Sequence, residues 1–586
     1  MRMFCLLIGL CAAGLVSECV AEDGHSARTI EATTLSRTRE IKGLTVTHRT
    51  LAPVIQQHGA RVDTLTFVNA LPVRRELEVA LSAGGMAARR IVLEPEQSLT
   101  VDFIPPSASD YHHSYRDRSV DLREGRAYDL ARIPGGTYYG SRRDEVNVLT
   151  TSSFDAIGAA ADYSKEDEQS AGSGGTKPKP WSKRSIIFQF HTLPRTAADC
   201  WSADARAYAG YDLMVLSAAD WQALAPSVRR ALIGHVALGG VLVLAGEPEL
   251  PAEAIGFPVR PMPPEAAKAR RVWTIGDGRI CLCPEPAADV KMPLARADLA
   301  ELGADARARL RTRFGADANI RNELVGMPAL NVPTVEVSLF IVLLGFFALV
   351  VLPATLAVCI RRQRRLAALV ALPAVAGVLS VLIVLAIVVT YGFTPYLNED
   401  ATVWLNQLDR RAACETRACV FAPSDVTDRL CFSRDAAVTA VGTGMSWRTP
   451  SESFTLVHGD RSSARGKSWL PPLKPVVYRT CEVRDTTARL VVEELAADKV
   501  RVTNLLGAGL TGLKVVDSHG RAFATKDLPE GATRELTPGG ETDVASSCYR
   551  AEMDALPFHT DTLGGTNAKR RGHTVVYGGY GKEVTK

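Results

Sequence analysis

Two long apolar runs separated by four arginines constrain the fold of this 586-residue chain more than any other feature. The stretch 337–391 contains both runs, and neither carries an acidic or basic side chain. Apolar runs of about 20 residues or more are typical of helices that cross a bilayer. The four arginines fall between Arg361 and Arg365, and the positive-inside rule assigns such a loop to the cytoplasm. The sequence therefore predicts a two-helix transmembrane hairpin over 337–391, with the remainder of the chain on the exported side.

The amino terminus supports export. Residues 1–21 combine one Arg, an apolar core and a small residue, Ala21, at their end, which is typical of a cleaved signal peptide. A lipoprotein alternative at Cys11 is less favoured, because the bulky Leu10 precedes that cysteine. Either interpretation predicts a protein of the bacterial cytoplasmic (inner) membrane with both large domains on the exported side.

Charge and cysteine usage narrow the function classes. Lys and Arg number 68 against 64 Asp and Glu, a formal net charge of +4, so there is no electrostatic case for nucleic-acid binding. Five cysteines follow the apolar runs, and an exported location predicts at least one disulfide among them. Zinc is disfavoured, since Cys414 and Cys419 have no second pair at zinc-finger spacing and no nearby His. The five cysteines are Cys414, Cys419, Cys431, Cys481 and Cys548.

Residues 22–143 show strands of alternating polarity. Turn residues recur every 8 to 12 positions or so, which predicts an immunoglobulin-like antiparallel β-sandwich. His112 and His113 stand side by side in its polar tail. We interpret them as exposed loop residues, because a metal site needs further ligands that the local sequence does not supply.

Residues 144–320 alternate buried strands with helices. The segment LMVL within YDLMVLS and the run VLVLA, which ends at Ala245, are continuously apolar, and Pro226 opens a helix between them. Such runs predict a parallel, doubly wound sheet covered on both faces. The composition of the polar stretch 164–182 predicts a flexible surface insertion. A further helix ends with four arginines that suit a solvated helix terminus, the alternative being anionic headgroups: Arg307, Arg309, Arg311 and Arg313.

The phrase YDLMVLSAADWQALAPSVRRALIGHVALGGVLVLAG resembles the core of a class I glutamine amidotransferase-like (flavodoxin-like) domain. The later WTIGDGRICLC resembles the closing strands of such domains in bacterial membrane proteins. Active members of that family use a Cys on a G-x-C-x-G elbow and a downstream His-x-Glu, and neither pattern occurs in this chain. Cys200 does not lie on a strand-to-helix elbow and has no base among its sequence neighbours. The resemblance therefore implies a scaffold that lacks the family's chemistry.

Residues 398–586 again form β-rich patterns, and weak similarity to the first sandwich predicts a second immunoglobulin-like domain. The stretch 507–512 matches G-x-G-x-x-G, but another strand follows it where a nucleotide-binding motif needs a helix. We interpret this stretch as an inter-strand loop. The layout of the whole chain resembles bacterial membrane proteins that combine a sandwich, an amidotransferase-like domain and a transmembrane pair.

Two functions compete. The first is a non-enzymatic, membrane-anchored envelope protein with protein partners, in which no residue is catalytic, metal-binding or cofactor-binding. The second is an exported hydrolase that acts at the strand ends of the α/β domain, where ligands of such folds bind. A transporter is disfavoured, because neither apolar run contains an ionisable residue for an ion path. The hydrolase candidates are Ser217, Asp220, Glu247 and Glu249.

Overall fold

The computed structural model describes 25 parts of the chain, and all structural statements below concern these residues. Strands account for 49% and helices for 22% of the residues, with the strands in five sheets. The described residues are 29–30, 37–50, 62–82, 86–104, 107–108, 118–124, 127–136, 145–154, 187–193, 201–262, 271–284, 292–314, 341, 345–362, 368–391, 394–424, 430–441, 455–459, 462–465, 469–470, 475–496, 498–539, 544–558, 562–563 and 568–580.

An eight-stranded sheet contains the strands predicted from the continuous apolar runs. Its order is β1-β12-β11-β13-β14-β17-β16-β15. The first six strands pair in parallel, and the last two join antiparallel. The strands are β1 (Thr29–Ile30), β11 (Glu145–Thr151), β12 (Ile187–Leu193), β13 (Leu213–Ser217), β14 (Val241–Ala245), β15 (Val259–Pro261), β16 (Arg271–Ile275) and β17 (Gly278–Cys283).

Helices cover this sheet on both faces. Leu242 and Leu244 of β14 belong to the same buried core as Leu232 of helix α2 (Pro226–Ala237), whereas Val241 and Val243 belong to a separate core with helix α4 (Arg296–Phe314). This alternation explains why β14 has no polar residue: both of its faces are buried. A 3₁₀ turn (Ala205–Tyr208) precedes α1 (Ala218–Ala223), α2 (Pro226–Ala237), α3 (Ala252–Ile255) and α4 (Arg296–Phe314).

A nine-stranded and a three-stranded sheet are built mainly from residues after the apolar runs. Their orders are β28-β27-β30-β31-β18-β19-β24-β21-β8 and β25-β26-β29. The strands are β8 (Ser107–Ala108), β18 (Tyr396–Asn406), β19 (Arg411–Phe421), β21 (Ala437–Val441), β24 (Val476–Asp485), β25 (Arg489–Ala496), β26 (Lys499–Leu505), β27 (Gly512–Val516), β28 (Ala522–Thr525), β29 (Thr533–Leu536), β30 (Cys548–Met553) and β31 (Lys569–Gly579).

The two remaining sheets contain the amino-terminal strands. Their orders are β10-β9-β5-β6-β22-β23-β20 and β2-β3-β4-β7. The strands are β2 (Arg37–Ile41), β3 (Leu44–Thr50), β4 (Asp63–Asn69), β5 (Arg75–Ser82), β6 (Met86–Leu93), β7 (Ser98–Phe103), β9 (Arg118–Glu124), β10 (Ala127–Gly136), β20 (Cys431–Phe432), β22 (Thr455–His458) and β23 (Ser462–Arg465).

Strands from both ends of the chain share sheets. Strand β22 pairs in parallel with β6, and β21 pairs in parallel with β8. Two sheets therefore combine strands from the segments 22–143 and 398–586, which the sequence suggested as separate sandwiches. Pairing between strands about 350 residues apart in sequence leaves no local pattern, so sequence periodicity did not indicate it.

The apolar stretch 337–391 differs from its prediction. Among the described residues, no helix has the length and apolarity that crossing a membrane requires. The first run contains a π-helical turn (Phe347–Val351) followed by α5 (Leu352–Arg361), which has 10 residues. Helix α6 (Ala368–Tyr391) follows, with Pro373 inside it.

This finding corrects three predictions. The structure contradicts the transmembrane hairpin over 337–391 and the inner-membrane location inferred from it. It also contradicts the predicted fold class, because the described chain consists mainly of strands in five sheets and lacks the two-helix transmembrane unit. Within that class, the parallel pairing of β11, β13 and β14 is present.

The carboxyl end of helix α4 also differs from its prediction. Arg313 is buried, although the sequence predicted a solvated terminus. Its Nε donates to Glu415 Oε2 at 2.6 Å, its Nη1 donates to the Leu238 carbonyl at 2.7 Å, and its guanidinium lies 4.6 Å from the Trp404 ring centre. Because Glu415 belongs to β19, Arg313 links the α/β unit to the nine-stranded sheet.

The cysteines correct another prediction. Cys414, Cys419, Cys481 and Cys548 are buried free thiols, so none of them is joined to another or to Cys431, and the predicted disulfide among the five cysteines is wrong. Cys414 pairs with Glu482 and Cys481 with Glu415 across neighbouring strands, and the two thiols belong to different buried cores. Adjacent positions on paired strands face opposite sides of a sheet, which separates these sulfur atoms.

These thiols should react slowly in the folded protein. Burial raises the pKa of Cys548 to about 11 and those of Cys414 and Cys481 further still, and only the thiolate is nucleophilic. We expect iodoacetamide at pH 8 to leave all three unmodified in the native protein and to modify all three in urea without prior reduction. Mass spectrometry of each peptide measures this, and a requirement for reductant in urea would contradict it.

Candidate functional site

The hydrolase candidates lie at the carboxyl ends of the parallel strands. Ser217 ends β13 and is the N-cap of α1, and Asp220 is the third residue of that helix. Glu247 and Glu249 follow the end of β14. The α/β architecture thus places all four at the sheet edge where ligands of such folds bind.

Asp220 is the centre of this edge. Its side chain is buried, with 2% of the residue's surface exposed. Oδ2 accepts hydrogen bonds from Thr151 Oγ1 and Ser217 Oγ, both at 2.6 Å, and Oδ1 accepts one from Ser153 Oγ at 2.9 Å. Thr151, Ser153, Ser217 and Asp220 are named the Asp220 cluster below. The cluster joins the ends of β11 and β13 through one carboxylate.

Hydrogen bonding outweighs burial at this carboxylate. Burial opposes its ionisation, but the hydroxyl groups of Ser217, Thr151 and Ser153 favour the charged form, so the pKa of Asp220 is lowered below its ordinary value. Asp220 is therefore a stable anion at neutral pH. A carboxylate with a lowered pKa is a weak general base.

Sequence reasoning missed two members of the cluster. Thr151 and Ser153 follow the apolar part of β11, in the run Thr150-Thr151-Ser152-Ser153. That run of hydroxyl residues directly after a buried strand was the available signal. Assigning this run to the same place as Ser217 and Asp220 also requires that β11 and β13 be neighbours, which the structure shows.

The two glutamates do not form the same kind of cluster. Glu247 is half-buried and accepts a hydrogen bond from Gln222 Nε2 at 3.5 Å, while Glu249 is exposed. The loop between them is tied to β16, because Arg271 Nη1 donates to the Pro248 carbonyl at 3.0 Å. The glutamates therefore lie on the rim of the edge.

Ser217 makes the contacts of a helix cap. Its Oγ donates to Asp220 Oδ2 and accepts from the Asp220 backbone N–H at 3.0 Å, and the Ser217 backbone N–H approaches Asp220 Oδ2 at 3.4 Å. This reciprocal arrangement is a capping box, which stabilises the start of a helix. A hydrolytic serine instead needs a positioned base such as histidine.

Two buried histidines of the α/β unit lie away from Ser217. His191 packs edge-on against the Tyr211 ring at 5.3 Å, and His235 Nε2 lies 3.3 Å from the Tyr211 carbonyl. Tyr211 precedes β13, whereas Ser217 ends it, a separation of roughly 20 Å for six extended residues. Burial lowers the pKa of His191 to about 4, so it is neutral at pH 7. Neither ring is placed to activate Ser217.

The remaining sequence predictions concern the loop 507–512, metal binding and four assignments outside the described residues. The stretch 507–512 runs from β26 into strand β27, which confirms its interpretation as an inter-strand loop. Among the described residues, no group of three or more His, Cys, Asp or Glu is arranged to hold a metal ion. Four assignments lie outside the described residues: the signal peptide 1–21, the insertion 164–182, the pair His112 and His113, and Cys200.

Comparison with known proteins gives no family. No protein-family model and no curated protein matches the chain. Among solved structures it is similar to the yeast delta-COP-I mu-homology domain complexed with a Dsl1 WxWxV peptide, at 8% identity over 31% of this chain and 95% of that chain, with a TM-score of 0.18. A second structure of the yeast delta-COP-I mu-homology domain gives 9% identity, the same coverage and a TM-score of 0.17. TM-scores this low support no argument about fold or function.

Substitution of Asp220 should destabilise the protein. Asp220→Ala removes the shared acceptor of three hydroxyl groups, of which that of Thr151 is buried, and a buried hydroxyl left without its acceptor costs about 1–3 kcal/mol. Because the folded-state pKa is lowered, the stabilisation by the carboxylate is present above its unfolded pKa of about 3.9 and is lost as pH falls through the folded value. Urea unfolding should therefore show a constant deficit from pH 5 to 8 that shrinks below pH 4.

Glu249→Ala is the matched control for this experiment. It removes a carboxylate from the same edge, but an exposed one, and should change the unfolding midpoint little. Equal midpoints for wild type and Asp220→Ala at pH 7 would contradict the structural role of Asp220.

Proposed function

We propose that the protein is a non-enzymatic binding or scaffold protein whose α/β unit is a catalytically degenerate, amidotransferase-like domain. One observation carries the proposal: the Asp220 carboxylate at the strand-end edge accepts hydrogen bonds from three hydroxyl groups of its own domain. A catalytic site at this edge needs a nucleophile with a positioned base. The hydroxyl of Ser217 is hydrogen-bonded instead to Asp220 in a capping box.

The same edge is where a partner would bind. Ligands of parallel α/β sheets contact the loops beyond the carboxyl ends of the strands. Glu247 and Glu249 supply an acidic, accessible rim next to the buried cluster. We therefore infer that a protein partner contacts this rim, and that the buried Asp220 cluster keeps the loops in place for it.

Photo-crosslinking in intact cells tests this proposal. A photo-crosslinking amino acid at Glu249 should give a discrete adduct with a second protein. The matched control is the same amino acid at Asp485, whose side chain is 93% exposed and which ends β24 in the nine-stranded sheet. That position should give no such adduct.

The hydrolase alternative is the outcome that would overturn the proposal. It requires no adduct at Glu249, together with ester or amide hydrolysis by the full-length protein that is lost in Asp220→Ala. Circular dichroism must show that this variant remains folded, since the substitution also removes a structural contact.

A further inference from the structure

Two groups of strands, one near each end of the chain, have the same arrangement in space. In the first group, β6, β5, β9 and β10 are consecutive in one sheet, and β3, β4 and β7 are consecutive in another. In the second group, β28, β27, β30 and β31 are consecutive in one sheet, and β25, β26 and β29 belong to another. The first group is named module 1 and the second module 2. Each module buries a core between its two sheets.

The modules also share the hydrogen bonds of one asparagine. Asn69 ends β4, and its Nδ2 donates to the Glu94 carbonyl at 3.1 Å. Asn504 lies at the equivalent position of β26, and its Nδ2 donates to the Pro529 carbonyl at 3.2 Å. In both modules Nδ2 also donates to the carbonyl four residues later, and Oδ1 accepts from the backbone N–H two residues later. These bonds span the same sequence separations, so the modules are two versions of one fold.

The last strand of each module, β10 or β31, occupies the same place in its sheet. Val120 of β9 pairs with Ile133 of β10, and Cys548 of β30 pairs with Gly579 of β31. Val120 and Cys548 are equivalent, because they pair with equivalent residues of β5 and β27. Ile133 therefore corresponds to Gly579, and the residue before each of them corresponds likewise.

The outer side of this last strand differs between the modules. In module 2, β18 pairs in parallel with β31 over ten residue pairs, from Tyr396 with Lys569 to Leu405 with Gly578. Strand β18 also adds two apolar side chains to the module 2 core, those of Val403 and Leu405. In module 1, β10 is the last strand of its sheet, and no described strand pairs with its outer side. The buried residues of the module 1 core all come from its own strands.

We propose that the outer side of β10 binds an extended segment of a partner protein, which joins the sheet as a parallel strand. The outer backbone N–H and C=O groups of an edge strand are donors and acceptors that such a segment pairs with. Module 2 shows the geometry, because β18 pairs with the equivalent strand and inserts Val403 and Leu405 into the core. The partner segment therefore carries apolar residues at every second position. This surface belongs to a different sheet from the rim at Glu249, so its test is independent of the crosslinking there.

Pro134 indicates which backbone groups of β10 face outward. Proline has no N–H, so in a sheet it occupies a position whose N–H would point away from the neighbouring strand. Pro134 pairs with Ser119 of β9, and Arg132, two residues earlier on the same strand, therefore directs its N–H to the outer side as well. Arg132 corresponds to Gly578, where the pairing with β18 ends. Pro134 lies beyond that point and does not interrupt the proposed pairing.

Hydrogen exchange of the full-length protein tests the site without any substitution. The probe is a synthetic peptide with the sequence of β18, residues 396–406, because β18 is the strand that the equivalent position accepts. At saturating peptide, the amides of β10 should exchange about tenfold more slowly, since they gain hydrogen-bond partners. Mass spectrometry of the fragment that covers 127–136 measures this rate. Unchanged exchange of β10 in the presence of the peptide would overturn the proposal.

Two variants of one residue separate backbone pairing from a side-chain effect. Arg132→Pro removes the outward N–H, whereas the matched control Arg132→Ala changes the same side chain and keeps that N–H. By fluorescence anisotropy of the labelled peptide, Arg132→Pro should bind about tenfold more weakly than wild type, and Arg132→Ala should bind as wild type does. Equal binding by all three proteins would contradict the proposal. So would a dimer in light scattering that Arg132→Pro converts to a monomer, because a second copy would then occupy this surface.

Discussion

Gly278→Ala should be among the most destabilising single substitutions in this protein. A Cβ at Gly278 would lie 1.9 Å from the Val236 carbonyl oxygen and 2.3 Å from that of Gly240. Both are backbone atoms, one in the last turn of α2 and one in the turn that follows it, so no side chain can rotate to relieve the contact. Strand β17 and helix α2 pack in the same core, and the substitution would force them apart. We expect a loss of about 3 kcal/mol in the free energy of unfolding, the upper end of the usual range for overpacking.

Gly539→Ala is the matched control, because no atom of the described residues lies within 4 Å of the added Cβ. It should leave stability within about 0.5 kcal/mol of wild type. Urea unfolding followed by tryptophan fluorescence compares the midpoints, since Trp221 lies in the same core as α2. A Gly278→Ala midpoint equal to that of the control would contradict the packing of β17 against α2.

Arg313→Met should uncouple the α/β unit from the nine-stranded sheet. The substitution leaves Glu415 buried without its main cation and removes the contact with Trp404. Removing one partner of a buried ion pair typically costs about 3–5 kcal/mol. Arg230→Met is the control, since its pair with Asp409 at 3.2 Å involves a 48% exposed Arg230 side chain and should contribute no more than about 1 kcal/mol.

The double variant Arg313→Met, Glu415→Gln separates charge burial from packing. It removes both buried charges, and Asp277, the other carboxylate partner of Arg313, has a 47% exposed side chain that solvent can hydrate. We expect the double variant to be more stable than Arg313→Met alone. If Arg313→Met and Arg230→Met unfold at the same urea concentration, the proposed role of Arg313 at this interface is wrong.

The strands and helices of the α/β unit could be predicted from the sequence because each depends on residues within the element itself. The apolar run of β14 indicates a strand buried on both faces, and Pro226 marks the start of α2, which Gly239 ends at a φ of +116°. Side-chain contacts between distant segments have no such signature. Arg313 fits a solvated helix end in sequence, and only its position opposite Glu415, 102 residues later, makes it a buried residue.

At the candidate site, too, the positions of residues could be predicted from local patterns, whereas their contacts with distant segments could not. Sequence reasoning placed Ser217 and Asp220 at one sheet edge because the ends of parallel strands coincide there. It could not show that Thr151 and Ser153 also donate hydrogen bonds to Asp220, since that depends on β11 and β13 being neighbours in the sheet. The observed contacts show that Ser217, a candidate nucleophile in the sequence, is the N-cap of α1. The role of Ser217 thus depends on its hydrogen-bond partners rather than on its residue type.

The central claim, that the Asp220 cluster is a structural cap and not a catalytic site, is tested most directly by hydrolysis assays on the full-length protein and its Ser217→Ala variant. Across a panel of esters, amides and glycosides, both proteins should give the rate of buffer alone, while Ser217→Ala lowers the urea midpoint through loss of the capping box. A wild-type rate above buffer that Ser217→Ala abolishes, with the variant still folded, would contradict the claim.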